Sequence, residues 1–284
     1  MNFLKKNYLY IRNGLDPSAY DWEKFSRDFF SIEPALGTVR LYRDGRVERQ
    51  LYQQTTPQFE GAGHKFDHSV FSDILLNGGS MVVNRFEKSS TYVADVCHQV
   101  ADFCGHAVVG NAYVTQGGTG TFGKHWDAHC VFAAQLIGAK HWKIFRPTIE
   151  LPLPSNNFSK KPTIGATEMV FDGVLQAGNM LYVPRGWTHE VAPIAGQPSL
   201  HIAAGVHSPK VLDYLKWVLN NKLSAHIAAR ETMALNHFDE CHVAEASALL
   251  SREAENSQSF QEYLYALKTS ISEKPYINFQ TMFR

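Results

Sequence analysis

The chain has no pair of cysteines at CxxC spacing. Its four cysteines, Cys97, Cys104, Cys130 and Cys241, are scattered. That argues against a zinc knuckle or a disulfide framework and leads to the expectation of a reduced, cytoplasmic protein. Neither sign of charge is in excess: Lys+Arg and Asp+Glu number 27 each, so no global basic field speaks for nucleic acid as a partner. Long apolar runs are missing too. The opening MNFLKKNYLYIRNG lacks the apolar stretch of a signal peptide, and no segment approaches a membrane span, so no membrane partner is expected. There is no internal repeat and no low-complexity tract. What is present is 284 residues with 44% apolar composition, enough for one catalytic domain with extensions.

The chain carries His125-Trp126-Asp127 and, further on, His189. Two imidazoles and a carboxylate make a facial triad, three ligands on one side of a metal with open positions opposite, which suits iron(II) in an oxygenase. In an extended strand residues i and i+2 point the same way, so His125 and Asp127 can share a metal while Trp126 faces away. His189 follows a strand-like Met180-Leu181-Tyr182-Val183 and a tight Pro184-Arg185-Gly186 turn. With 13 histidines in the chain an isolated HxD means little; the context raises it. A Gly-rich approach precedes the pair, and two apolar runs hinged at Gly138-Ala139 follow it. Antiparallel strands that bring ligands from separate hairpins into one cavity describe a jelly roll, or cupin.

The resulting fold class is mainly β with flanking helices: a double-stranded β-helix core followed by a C-terminal helical region. We expect a mixed α/β extension over 1–78, the jelly-roll catalytic domain over 79–208, and helices over 209–284. Within the extension, Tyr8–Ile11 reads as a strand and Trp22 opens a helix. Thr38–Tyr42 and Val47–Tyr52 flank Asp44-Gly45 as a hairpin. Residues 91–103 have helical spacing. Residues 147–163, rich in Pro, Ser, Asn and Lys, read as a long lid or binding loop. After Pro209, Val211, Leu212, Leu215, Val218, Leu219 and Leu223 form one stripe, with further helices expected at 225–236 and 242–268.

An iron oxygenase also needs a cation for an acidic cosubstrate, and Lys140, opening the strand after the Gly138-Ala139 turn, is the candidate. Composition alone favours an exposed strand-end lysine instead. Asn111 and Tyr113 alternate inward on the strand before the Gly-rich loop; Asn111 could serve a ligand or be a buried amide satisfied by backbone. His201 faces the same cavity by parity with Ala203, though a lone His on such an apolar strand is more often a hydrogen-bonded core residue than a ligand. Trp187 lines the substrate entrance or packs on the barrel rim. Arg85 points inward or caps the sheet. His129, four after His125, suits a surface position, and Cys130 a small buried one.

These stretches resemble the JmjC-type 2-oxoglutarate oxygenases, and within them the cupin-4 branch that contains the ribosomal oxygenases. The resemblance covers roughly 65–210, with a looser match at Lys5–Arg12. Its anchors are NAYVT at 111–115, the Gly-rich run at 117–123, HWD at 125–127, VFAAQLIGAKHWKIF and GNMLYVPRGWTHEV. It implies that His125, Asp127 and His189 hold Fe(II). Lys140 then pairs with the far carboxylate of 2-oxoglutarate, while Asn111 and His201 line the cosubstrate pocket and Tyr113 and Trp187 lie towards substrate. The implied reaction consumes dioxygen and 2-oxoglutarate and hydroxylates a side chain in a protein or peptide. Alternatives are hydroxylation of a small molecule or biosynthetic peptide, and a non-catalytic metal-binding cupin; the retained triad speaks against the last. The resemblance also implies a homodimer. Two departures stand out. Ala128-His129-Cys130 replaces the acidic residues that often follow HxD. About 75 residues follow the barrel, too few for helices plus the winged helix that members carry, which weighs against a ribosomal-protein substrate.

Overall fold

The computed structural model describes residues 6–58, 61–118, 122–157, 168–233 and 240–271. Up to His207 they form one compact unit, and from Ser208 a second.

The first unit contains twelve strands: β1 Leu9–Ile11, β2 Val39–Tyr42, β3 Gln53–Gln58, β4 Gly61–Phe66, β5 Ser80–Val83, β6 Ala107–Gln116, β7 Cys130–Ile137, β8 Ala139–Phe145, β9 Met169–Gln176, β10 Met180–Val183, β11 Thr188–Pro193 and β12 Pro198–His207. Seven build an antiparallel sheet in the order β1-β10-β7-β12-β6-β5-β2; three build a second, β11-β8-β9; β3 and β4 make a separate hairpin. The large sheet lies against the small one with a buried layer of Ala133, Trp142, Ile144, Leu175, Leu181, Val183 and Trp187 associated with both. This is the double-stranded β-helix, or cupin, architecture. Its hinge is Gly138, whose φ of +67 lies in the left-handed region that glycine tolerates, and where a Cβ would stand 2.3 Å from the Pro198 carbonyl oxygen. The β7-to-β8 reversal carries the chain from one sheet to the other there.

The other face of the large sheet holds the main core. Helix α1, Trp22–Phe30, starts at Asp21, whose carboxylate accepts from the Lys24 amide, and it buries Phe25. Helix α2, Arg49–Tyr52, is a single turn, and α3, His68–Leu76, is capped by Asp67. Helix α4, Thr91–Cys104, runs from a Ser90 cap to Gly105 in the left-handed conformation. Its stripe Val93, Val96, Cys97 and Val100 packs on the sheet. The approach is closest at Gly110, where a Cβ would lie 2.7 Å from Cys97 Sγ.

Two expectations change. The hairpin around Asp44-Gly45 keeps its first strand and its turn, with Tyr42 bridged to Arg46, but Arg49–Tyr52 is helical rather than a strand. Tyr52 is amphipathic to the core, its hydroxyl donating to the Val39 carbonyl at 3.0 Å, and that anchor overrides the local alternation. The extension before residue 79 supplies strands to the barrel: β1 and β2 form the two edges of the large sheet. Finally, two short 3-10 turns, Leu223–Ala225 and Ile227–Ala229, stand in place of the helix expected over 225–236; 234–236 lies outside the described residues.

The second unit contains α5 Val211–Asn221, α6 Glu240–Glu255 and α7 Ser257–Ile271. Tyr214, Trp217, Phe260 and Tyr263 form its aromatic centre, and Lys222 pairs with Glu262 at 2.5 Å. Among the described residues, no helix is long and apolar enough to cross a membrane.

Candidate metal centre and its cavity

His125 and His189 are joined by the backbone. The His125 amide donates to the His189 carbonyl at 3.0 Å, and the His189 amide returns the bond at 2.7 Å. This two-way bridge sets the imidazoles side by side, with ring centroids 4.3 Å apart. Asp127 is tied in as well, because its carbonyl accepts from the Gly186 amide at 2.9 Å. One potential ligand atom from each of His125, Asp127 and His189 lies within 4.8 Å of the others. The HWD segment is not the strand its spacing suggests. Beyond the single bridge at His125 it is irregular, and Trp126 lines the cavity instead of facing away.

The ring nitrogens are sorted by the backbone. His125 Nδ1 meets the Gly123 carbonyl at 2.9 Å, and His189 Nδ1 meets the Trp187 carbonyl at 3.2 Å. A carbonyl can only accept, so each Nδ1 carries a proton and each Nε2 is the ring nitrogen turned towards the shared space, where a metal would be ligated. His189 Nε2 stands 3.6 Å from Asp127 Oδ2. Burial, with a smaller contribution from His125, pushes the His189 pKa down to about 4, so the ring is neutral at physiological pH. Two imidazoles, one carboxylate and an open side fit a divalent metal of the iron(II) type.

Lys140 is buried at 2% exposure, contrary to what composition favours for a lysine. Its Nζ reaches across from the small sheet to the Tyr113 carbonyl at 3.2 Å and to His201 Nδ1 at 2.9 Å. Burial lowers its pKa to about 7. Burial also holds His201 well below the usual histidine range, assisted by the Lys140 charge, so His201 is the acceptor in this contact. His201 stacks on Tyr113 with centroids 4.8 Å apart and planes 9° from parallel. A buried ammonium whose partners are a carbonyl and a neutral ring lacks a counter-charge, and a carboxylate ligand would supply it.

All these groups face one cavity of about 450 Å³, whose walls include Tyr113, Thr115, Phe122, Trp126, Trp142 and His201 together with the triad and Lys140. Two candidate residues lie elsewhere. Asn111 shares the inward parity of Tyr113, but its Oδ1 accepts from the Arg85 amide at 2.9 Å and it does not line the cavity. Its amide oxygen is therefore held by backbone, and the residue is half-buried. Trp187 is packed in the layer between the sheets under the Arg146 guanidinium, 5.7 Å from its centroid, so its indole is a rim aromatic and only its carbonyl serves the site. Arg85 takes a left-handed conformation (φ 56) beyond β5 and reaches Glu87 at 3.5 Å, capping the sheet. His129 contacts the Cys130 carbonyl and the His207 ring, outside the metal group.

Trp126, Trp142, Thr115 and Phe122 also line the cavity, and none was a candidate from its motif. Trp142 had a legible signal, since it shares strand parity with Lys140. Phe122 and Trp126 had none, because irregular backbone sets their direction.

Residues 81–214 match the family model of the JmjC domain. They are a JmjC domain. Beyond that domain, the chain is 34% identical over 255 residues to the bifunctional lysine-specific demethylase and histidyl-hydroxylase NO66 of Brugia malayi, a match spanning 86% of this chain and 35% of that protein. It is 35% identical over 143 residues to ribosomal oxygenase 1 of Danio rerio, spanning 49% of this chain and 26% of the relative. The chain therefore spans about a third or less of the length of the relatives it matches. Among solved structures, the ribosomal oxygenase YcfD of Escherichia coli in complex with cobalt and 2-oxoglutarate shares the fold with a TM-score of 0.58 at 16% identity, covering 92% of this chain and 66% of that one. The JmjC domain holds His125, Asp127, Lys140, His189 and His201, so the whole cavity described above belongs to it.

Proposed function

We propose that this chain is an iron(II)- and 2-oxoglutarate-dependent dioxygenase that hydroxylates an amino-acid side chain in a protein or peptide. One observation carries the reading: a two-His, one-Asp group and a buried lysine without a counter-charge face the same 450 Å³ cavity. His125, Asp127 and His189 would hold the metal, and Lys140 with His201 would hold the far carboxylate of the cosubstrate. Bound iron and 2-oxoglutarate would supply the oxidising chemistry, in which dioxygen is consumed, succinate and carbon dioxide form, and one oxygen atom enters a C–H bond.

The chain's own residues do the rest. The reciprocal backbone bridge orients both imidazoles before any metal arrives, so little reorganisation accompanies binding. Trp126, Trp142 and Phe122 give the cavity apolar walls that limit water around the reacting groups. The protein substrate is supported by the names of the relatives, NO66 being a demethylase and histidyl-hydroxylase and YcfD a ribosomal oxygenase. We also propose a homodimer, in keeping with the exposed apolar residues Val211 and Tyr265 in the helical unit. Light scattering at micromolar concentration tests it, with a 32.0 kDa particle as the contrary result.

The function is tested by incubating the protein with iron(II), 2-oxoglutarate and a size-fractionated cell extract. The expected outcome is succinate formation stimulated by the protein fraction and a +16 Da shift on a peptide, both lost in His125→Ala. Stimulation only by the small-molecule fraction would overturn the protein substrate; none by any fraction would overturn the enzyme.

A further inference from the structure

Arg40 sits on the edge strand β2 in a cross-sheet row that ends at the cavity. The register pairs Arg40 with Val82, Val82 with Tyr113, and Tyr113 with His201. Residues opposite one another in antiparallel strands share a face, so Arg40 lies on the sheet face that carries Tyr113 and His201. The next row repeats the pattern: Tyr42 is opposite Ser80, Ser80 opposite Thr115, and Thr115 opposite Ser199. The inner face of the large sheet thus continues past the metal cavity, over β5, to its β2 edge.

An aromatic path follows the same direction. Tyr42 meets Phe122 edge-on at 5.3 Å, Phe122 meets Tyr113 at 6.2 Å, and Phe122 meets the ligand His125 at 5.8 Å. Phe122 is 48% exposed although it lines the cavity, which puts it at the mouth. Arg40 is close enough to act on the Tyr113 phenol, lowering a pKa that burial raises.

Arg40 is also uncommitted. It is half-buried, its Nε is sealed from water with no hydrogen-bond partner, and it forms no ion pair among the described residues. Its neighbours differ: Arg43 pairs with Asp73 at 2.7 Å, and Arg49 donates to the Pro34 carbonyl at 2.8 Å. Arg46, Arg49 and Arg40 all act on the buried Tyr52 phenol, so this edge of the sheet is cationic. A guanidinium held on a sheet, beside an aromatic wall and without an acceptor, matches a planar carboxylate better than any other common protein group.

We propose that Arg40, with the rim of Tyr42, Phe122 and Tyr113, is the substrate-recognition side of this site, and that it takes a peptide bearing a carboxylate close to the residue presented to the metal. The inference rests on the proposed oxygenase reading and names its substrate class, an acidic peptide segment. The peptide lies along the β2 edge, its target side chain enters the cavity mouth beside the exposed Phe122, and its Asp or Glu pairs with Arg40.

The test uses the full chain and three fluorescein-labelled pools of 11-residue peptides with degenerate centres, carrying Glu, Gln or Lys at the flanking positions. Equilibrium anisotropy is measured for wild type, Arg40→Gln and Arg40→Lys, with thermal melts confirming that each variant folds. The expected result is about tenfold tighter binding of the Glu pool than of the Gln pool by wild type, as a charge-assisted hydrogen bond gives. Arg40→Gln reduces that preference to within about twofold, and Arg40→Lys keeps part of it. A wild type with no Glu preference, a preference for the Lys pool, or a preference that survives Arg40→Gln overturns the inference. The wild-type iron and 2-oxoglutarate absorption band, recorded in parallel without peptide, reports the oxygenase reading separately: a band with no Glu preference sinks only the role of Arg40, and no band sinks the oxygenase whatever the peptides do.

Discussion

Lys140 and the imidazoles around it show how burial, rather than proximity alone, prepares a binding site. An ammonium satisfied only by a carbonyl and the neutral His201 costs free energy to bury, and a carboxylate ligand relieves that cost. Lys140→Ala should therefore weaken 2-oxoglutarate binding by about 100-fold, or ~3 kcal/mol, while leaving iron binding within a few-fold. Calorimetry with each ligand checks the split. The pH dependence follows from the same group. Its folded pKa of about 7 lies below the ordinary lysine value of 10.5, so the unfolded chain holds more protons through that window. The destabilisation is fully present below pH 7 and is relieved as pH rises. The melting temperature should climb between pH 7 and 9 in wild type, the Lys140→Met variant should lack that component, and equal slopes in the two would contradict the account.

At the scale of elements, two turns place the ligands. Gly138 moves the chain from β7 to β8 and so brings Lys140 under β6 and β12, while Gly186 (φ +84) shapes the turn before His189. A Cβ at Gly186 would stand 2.5 Å from Pro152 Cδ and 2.9 Å from the Ile149 carbonyl. Gly186→Ala should lower iron affinity at least tenfold and cost roughly 1–3 kcal/mol of stability, read by metal titration and denaturant unfolding. These elements were largely legible beforehand. The GNMLYVPRGWTHEV stretch has strand, turn and strand signals in order, and β10 and β11 fall where those signals put them. The HWD segment was legible in its chemistry but not in its conformation. Alternation predicts Trp126 outward, yet the backbone leaves the strand after His125 because its pairing is spent on the single bridge to His189. Residues 49–52 failed for a related reason: a polar-apolar alternation too short to outweigh the tertiary anchor of Tyr52.

Across the whole molecule, the JmjC barrel is continuous with its N-terminal segment, whose β1 and β2 close both edges of the large sheet. Local pattern identifies β1 as a strand but carries nothing about its partner, since the β1-to-β10 pairing spans most of the domain. The same long-range closure hid the rim: Arg40 and Tyr42 reach the site only because β2 joins the sheet through β5. Loop 147–163 is described only to residue 157, where Ile149 and Pro152 lie against the Gly186 turn; residues 158–163 lie outside the described residues. Because metal and cosubstrate would bind the folded barrel alone, ligands at 100 times their Kd should add about 2.7 kcal/mol. That corresponds to a rise of roughly 5–10 °C in melting temperature for wild type and none for His125→Ala, by calorimetry.

The central claim, that the triad and Lys140 form one iron and cosubstrate site, is tested most directly by anaerobic titration of the purified protein with iron(II) and then 2-oxoglutarate, following the visible charge-transfer band. The account predicts a band that is lost in His125→Ala and needs far more 2-oxoglutarate in Lys140→Ala. Bound iron with no band in wild type, or a band indifferent to Lys140, would contradict it.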